Sequence, residues 1–132
     1  MATIHLEILI DTSPEAAWDA LRDWGALDTR LAPGFVTKVR VEGRVRVVTF
    51  FNGTEVTERI IDVDDGGRRL AWTIEDGPYA HHSGSAQVFP AGASGIRFVW
   101  ITDLLPDELA EPTTAMMRKG LATIKETLEA AG

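Results

Sequence analysis

With 132 residues, 45% of them hydrophobic, the chain can bury one core without metal or disulfide staples and is too apolar to stay disordered. Its 20 acidic residues outweigh 13 basic ones, for a formal charge of −7, which argues against a nucleic-acid partner because phosphate binding needs clustered positive charge. The absence of cysteine removes disulfides and thiolate catalysis and makes a cytoplasmic setting the expectation. No apolar run approaches the roughly 20 residues of a membrane helix, and the first residues lack the basic and apolar stretches of a signal peptide.

Residues 3–11 alternate: Ile4, Leu6, Ile8 and Ile10 fall on one side, His5, Glu7 and Asp11 on the other, which predicts a strand with one buried face. A helix start follows, with Ser13 to cap the first amides, Pro14 at the first helical position and Glu15 at the positive end of the dipole. Ala17, Trp18, Leu21 and Trp24 recur at helical spacing, and Gly25 is the expected stop. Ala26 to Gly34 reads as a short irregular segment holding a second short helix.

From Phe35 to Asp103 the period becomes two, and six strands are expected near 35–42, 44–52, 54–64, 69–75, 81–89 and 95–103. Turn residues separate them: Glu42-Gly43, Asn52-Gly53, Asp64-Asp65-Gly66-Gly67, Asp76-Gly77-Pro78 and Pro90-Ala91-Gly92. Such short connections imply antiparallel neighbours. After Pro106 the period returns to 3.6, with Met117, Leu121, Ile124 and Leu128 on one stripe of a long helix that begins near Pro112. Gly120 lies mid-helix, where it would allow a close approach to the sheet or a bend.

The order of these pieces resembles the START-like superfamily, also called SRPBCC or polyketide cyclase/dehydrase-like, which includes birch-pollen-allergen-like proteins. The resemblance rests on the opening strand into Ser13-Pro14-Glu15-Ala16-Ala17-Trp18, then Leu21-Arg22-Asp23-Trp24, Pro33-Gly34, the hairpins and the amphipathic terminal helix. It covers essentially the whole chain and implies one α+β domain over residues 1–132. The fold it implies is a helix-grip, in which a seven-stranded curved antiparallel sheet wraps the C-terminal helix around an elongated cavity. It implies a cavity more firmly than any reaction, since one fold carries many functions.

Charged residues mark the outer face of each strand, so parity assigns the inner one. His5, Glu7, Lys38, Arg40, Arg46, Glu55, Arg59, Arg69 and Arg97 then point out. Val39, Val41, Val45, Val47, Phe51, Val56, Ile60, Leu70, Trp72, Ile74, Phe98 and Trp100 point in. Four polar residues, Thr49, Glu58, His82 and Thr102, also fall inside. Guessed hairpin registers pair Val63 with Arg69, Glu58 with Ile74, Ile74 with His82, and His82 with Thr102, forming a row across four strands. Strand spacing then sets Glu58 about 10 Å from His82, a distance for a bridging ligand or water.

The expected ligand-binding set is therefore Glu58, Trp72, Ile74, Tyr79, His82, Phe98, Trp100, Thr102 and Met117, with Tyr79 closing the entrance from its loop. Glu58 and His82 are the catalytic candidates, a carboxylate and an imidazole able to act as acid and base on an enolisable substrate. His81 and His82 lie on opposite faces of a strand and cannot share a metal, so no metal site is expected. The His81, Ser83, Ser85, Gln87 face lacks an elbow motif and reads as a solvated strand face. Neither the dinucleotide fingerprint nor the phosphate loop occurs, so no cofactor is expected. Three functions stay open: binding of a small hydrophobic lipid-, quinone- or polyketide-like molecule; a cyclase, dehydrase or isomerase using Glu58 and His82; and a co-chaperone-like protein-interaction module.

Overall fold

A computed structural model describes residues 1–131. Strand β1 (Ala2–Ile10) leads into helix α1 (Pro14–Arg22), and the Ser13 hydroxyl accepts the Ala16 amide at 3.1 Å as the expected cap. The helix stops at Arg22, before Gly25. Asp23 leaves helical geometry, and the chain continues as a 3-10 turn over Trp24–Ala26 and a π-helical turn over Leu27–Leu31.

Six further strands follow: β2 (Val36–Glu42), β3 (Val45–Phe50), β4 (Glu55–Asp64), β5 (Arg69–Ile74), β6 (His81–Pro90) and β7 (Ile96–Leu105). They form one antiparallel meander in the order β1-β7-β6-β5-β4-β3-β2, with β1 closing against the last strand. Helix α2 (Ala110–Ala131) runs 22 residues, with Pro112 in its first turn, where its missing amide hydrogen costs nothing. This is the α+β helix-grip architecture, a curved seven-stranded sheet around a C-terminal helix.

Leu121, Ile124 and Leu128 of α2 join Ala17, Leu21, Leu31, Leu70, Val88 and Phe98 in one buried cluster. Met117, one turn earlier, packs instead with Ile4 and Leu104. A Cβ on Gly120 would lie 3.0 Å from both the Phe35 and Trp100 rings, so glycine here lets the helix backbone approach the sheet. No helix among the described residues is long and apolar enough to cross a membrane.

Parity holds for β1, β5, β6 and β7 and for β4 as far as Ile60, and fails in β3. Arg46, expected outside, is 4% exposed on the inner face, alongside Val48, which is fully buried. Val45 and Val47 turn to the outer face, as does Thr49, whose hydroxyl donates to the Glu55 carboxylate at 3.3 Å. Phe51 leaves the strand altogether and is 44% exposed in the β3–β4 turn. The cause is that turn: Phe50 N–H bonds the Thr54 carbonyl across a three-residue connection, which pairs Val48 with Val56 and Arg46 with Glu58. Facing residues of a ladder share a side, so Arg46 must follow Glu58 inward. Val41 keeps its inward parity but is 43% exposed because β2 is the sheet edge.

Candidate functional site

Between the sheet, the first half of α2 and the β5–β6 loop lies an outer chamber of about 190 Å³. Eight of the nine expected ligand-binding residues line it, all except Phe98. Trp72 and Ile74 come from β5, Glu58 from β4, His82 from β6, Trp100 and Thr102 from β7, Met117 from α2, and Tyr79 from the loop. Phe98 lines a second, inner chamber of about 60 Å³ that lies against α1 and the π-helical turn.

The expected polar row is half right. Glu58 does face Ile74. It does so because two departures cancel: the turn pairs Val63 with Leu70, and a bulge between Ile60 and Asp62 takes the register back by one. The β6–β7 ladder pairs His82 with Leu104, and Thr102 faces Gly84 instead. Thr102 thus lies two residues along from the predicted position, still on the inner face and 1% exposed.

Gly84 shapes the chamber. A Cβ there would meet the Trp72 ring at 2.9 Å, so glycine lets the indole come this close to the strand backbone. Tyr79 is less a free lid than a strut. Its hydroxyl is 2.9 Å from Thr113 Oγ1 on α2, and its ring stands edge-on to His82 with centroids 4.7 Å apart.

His82 is 6% exposed and its Nδ1 has no hydrogen-bond partner. Burial drives its pKa down to about 4, a backbone hydrogen bond at His82 partly offsets that, and the His81 charge adds a little. The ring is therefore neutral at neutral pH. Trp100 Nε1, in the wall of the same chamber, is also buried without a partner. Buried polar atoms are seldom left unpaired, and of the three such side-chain atoms among the described residues, Trp24 Nε1 being the other, two belong to the wall of this chamber.

Arg46 is the residue that parity missed. Its Nε and Nη2 each lie 2.8 Å from Glu58 Oε1, and Nη1 donates to the Trp24 carbonyl at 3.0 Å. Its guanidinium carbon stacks 3.6 Å above the Trp24 ring. Burial pulls the guanidinium's pKa below its usual range and Glu58 pulls it back up, but arginine keeps its proton at any pH where the protein folds. Trp24 thus forms the floor under a buried ion pair. The pair could be found in the sequence only from the β3–β4 turn, because valines and a phenylalanine occupy both faces of β3.

No group of three or more acidic or histidine side chains among the described residues is placed to hold a metal ion. His81 points outward, 3.3 Å from Ser83 Oγ, but the face expected to be solvated is so only at His81: Ser83 and Gln87 are half-buried and Ser85 is buried.

The family model for polyketide cyclase/dehydrase and lipid transport matches residues 1–129. The chain belongs to that family. Among solved structures, its fold is similar to an uncharacterised protein of Bacillus thuringiensis at 20% identity, covering 96% of this chain and 98% of that one with a TM-score of 0.85. It is also similar to the di-domain ARO/CYC protein BexL from the BE-7585A biosynthetic pathway, at 21% identity and a TM-score of 0.81, covering 98% of this chain and 47% of that one. A Thalictrum norcoclaurine synthase mutant bound to a transition-state analogue matches at 23% identity and a TM-score of 0.71, covering 99% and 96%. At these identities the likeness is one of fold. No protein with a curated description matches the chain. The family's two-part description, cyclase/dehydrase and lipid transport, spans both catalysis and carriage, so the residues of this cavity must decide between them.

Proposed function

We propose that the protein binds a small, largely apolar molecule with an uncharged polar group in the chamber between sheet and helix. The observation that carries this reading is the pairing of an aromatic and methionine-lined cavity of about 190 Å³ with a buried His82 nitrogen that no protein group satisfies. Pockets of this kind take their affinity from apolar walls and their orientation from a few convergent polar atoms. Binding is favoured over acid–base catalysis because Glu58 is engaged by Arg46 in a buried ion pair. A cyclase or isomerase would rest on His82, whose neutral ring can accept a proton. A protein-interaction role is favoured less, since the cavity has not collapsed.

The test is native mass spectrometry of protein purified from its own host, set against the denatured mass, together with 2-naphthol titration followed by tryptophan fluorescence. A retained small molecule, or saturable quenching abolished by Met117→Trp, is the expected result. An apo mass with no saturable quenching would overturn the reading. Turnover of a retained molecule that is lost in His82→Gln would instead establish the enzyme.

A further inference from the structure

The inner chamber of about 60 Å³ has no role in the reading above. Its walls are almost wholly apolar, drawn from Ala20 and Leu21 of α1, Leu31 of the π-helical turn, Ala86 and Phe98 of the sheet, and Ile124 of α2. A water-sized group needs roughly 10–15 Å³ of such space, so the chamber has room for about four. Asp23, Arg46 and Glu58 also border the space, but the last two are bound to each other and the surface turned to it is overwhelmingly carbon, which suits an apolar group better than water. Protein interiors otherwise pack to crystal density, which leaves this void in want of an apolar occupant.

Both chambers lie on the concave side of one sheet, so no strand divides them. Phe35, Phe50, Glu58, Trp72 and Trp100 line both. The division is made of side chains, and Phe50 at the end of β3 is only half-buried. The outer chamber has an exposed rim at Asn52, Thr54 and Pro78, and it holds the unsatisfied His82 nitrogen. A ligand entering at that rim meets polar atoms first and apolar space beyond them. Charge narrows the choice of head group further. The one cation in either wall is Arg46, already held by Glu58, and the carboxylate would repel an anionic head.

We infer that the inner chamber receives the unbranched apolar tail of a ligand whose uncharged hydroxyl- or carbonyl-bearing head lies in the outer chamber by Glu58, His82 and Thr102. The inference rests on the binding reading and adds to it the ligand's shape and charge.

A series of 4-alkylphenols from ethyl to octyl, titrated by calorimetry, tests it. Each methylene placed in the dry inner chamber should tighten binding about fourfold. Ala86→Leu, which fills that chamber from the sheet, should weaken the octyl member at least tenfold and leave the ethyl member unchanged. Ala20→Leu fills it from α1 and serves if the first variant does not fold. A 4-octylbenzoate should bind at least tenfold more weakly than 4-octylphenol. If both fillings leave the octyl affinity intact, or lower short and long members alike, the tail assignment is overturned. Equal affinity for benzoate and phenol overturns the uncharged head. Failure of every member to bind would sink the binding reading itself, an outcome distinct from binding without chain-length selectivity.

Discussion

Glu58 and Arg59 are consecutive residues of β4, and each joins an arginine–glutamate pair with a neighbouring segment. Glu58 meets Arg46 on the concave face, where the two side chains are 8% and 5% exposed. Arg59 meets Glu75 on the convex face, where they are 50% and 39% exposed. The functional groups are identical and the solvent is not. Outside, water screens the charges and competes for the hydrogen bonds, so such a pair contributes little. Inside, desolvation has already been imposed on both ions, and each depends on the other, Arg46 also on the Trp24 carbonyl and the Trp24 ring. One face of the strand is therefore tolerant and the other is coupled.

Breaking the inner pair should have the largest effect. Arg46→Ala leaves Glu58 charged and buried, and is expected to lower stability by about 3–5 kcal/mol in urea unfolding. A paired Arg46→Met with Glu58→Leu should recover most of that loss, because the uncompensated charge, and not the missing bond, is what costs. A single-variant loss below about 1 kcal/mol would place the inner pair with the exposed ones.

His82 sharpens the contrast through pH. Its folded pKa of about 4 lies below the unfolded value of 6.5, so the unfolded chain binds the proton first as pH falls. Its contribution is present above pH 6.5 and is lost progressively down to about 4, amounting to about 3 kcal/mol across that window. His82→Gln should flatten the unfolding free energy between those limits. An unchanged slope would mean that the imidazole takes up its proton over the same pH range in the folded and unfolded chains.

Gly84→Ala tests whether the concave face is as tightly packed as its contacts suggest. The new methyl would meet Trp72 ring atoms 2.9 Å away, and the shift of the indole is expected to cost about 1–3 kcal/mol and to narrow the outer chamber. Calorimetric melting together with the 2-naphthol titration reads both effects. The smallest change belongs to the convex face. Arg59→Ala should cost below about 1 kcal/mol, and any deficit relative to the native protein should shrink further in high salt. A loss comparable with that of Arg46→Ala would erase the distinction between the faces.

The elements of this fold are determined locally and were legible residue by residue. Ser13-Pro14 begins α1, the 3.6-residue stripe from Met117 to Leu128 sets α2, and alternation with turn residues sets the strands. Most of the chamber lining was legible for the same reason, because in β4, β5, β6 and β7 charge and apolarity alternate strictly enough to label the faces. Trp72, Ile74, Trp100 and Glu58 follow from that alone.

What only the tertiary structure decided is register and environment. In β3 both faces carry apolar residues, so composition leaves the choice open, and the three-residue turn that bonds Phe50 to Thr54 makes it, carrying Arg46 to Glu58. Likewise the bulge between Ile60 and Asp62 and the slip that sets His82 against Leu104 are invisible to a period of two. The physical reason is the same in each case. A strand whose own pattern is clear labels its faces, but where that pattern is ambiguous the face, and in every strand the partners, are set by turn geometry and packing across strands, which no single strand encodes.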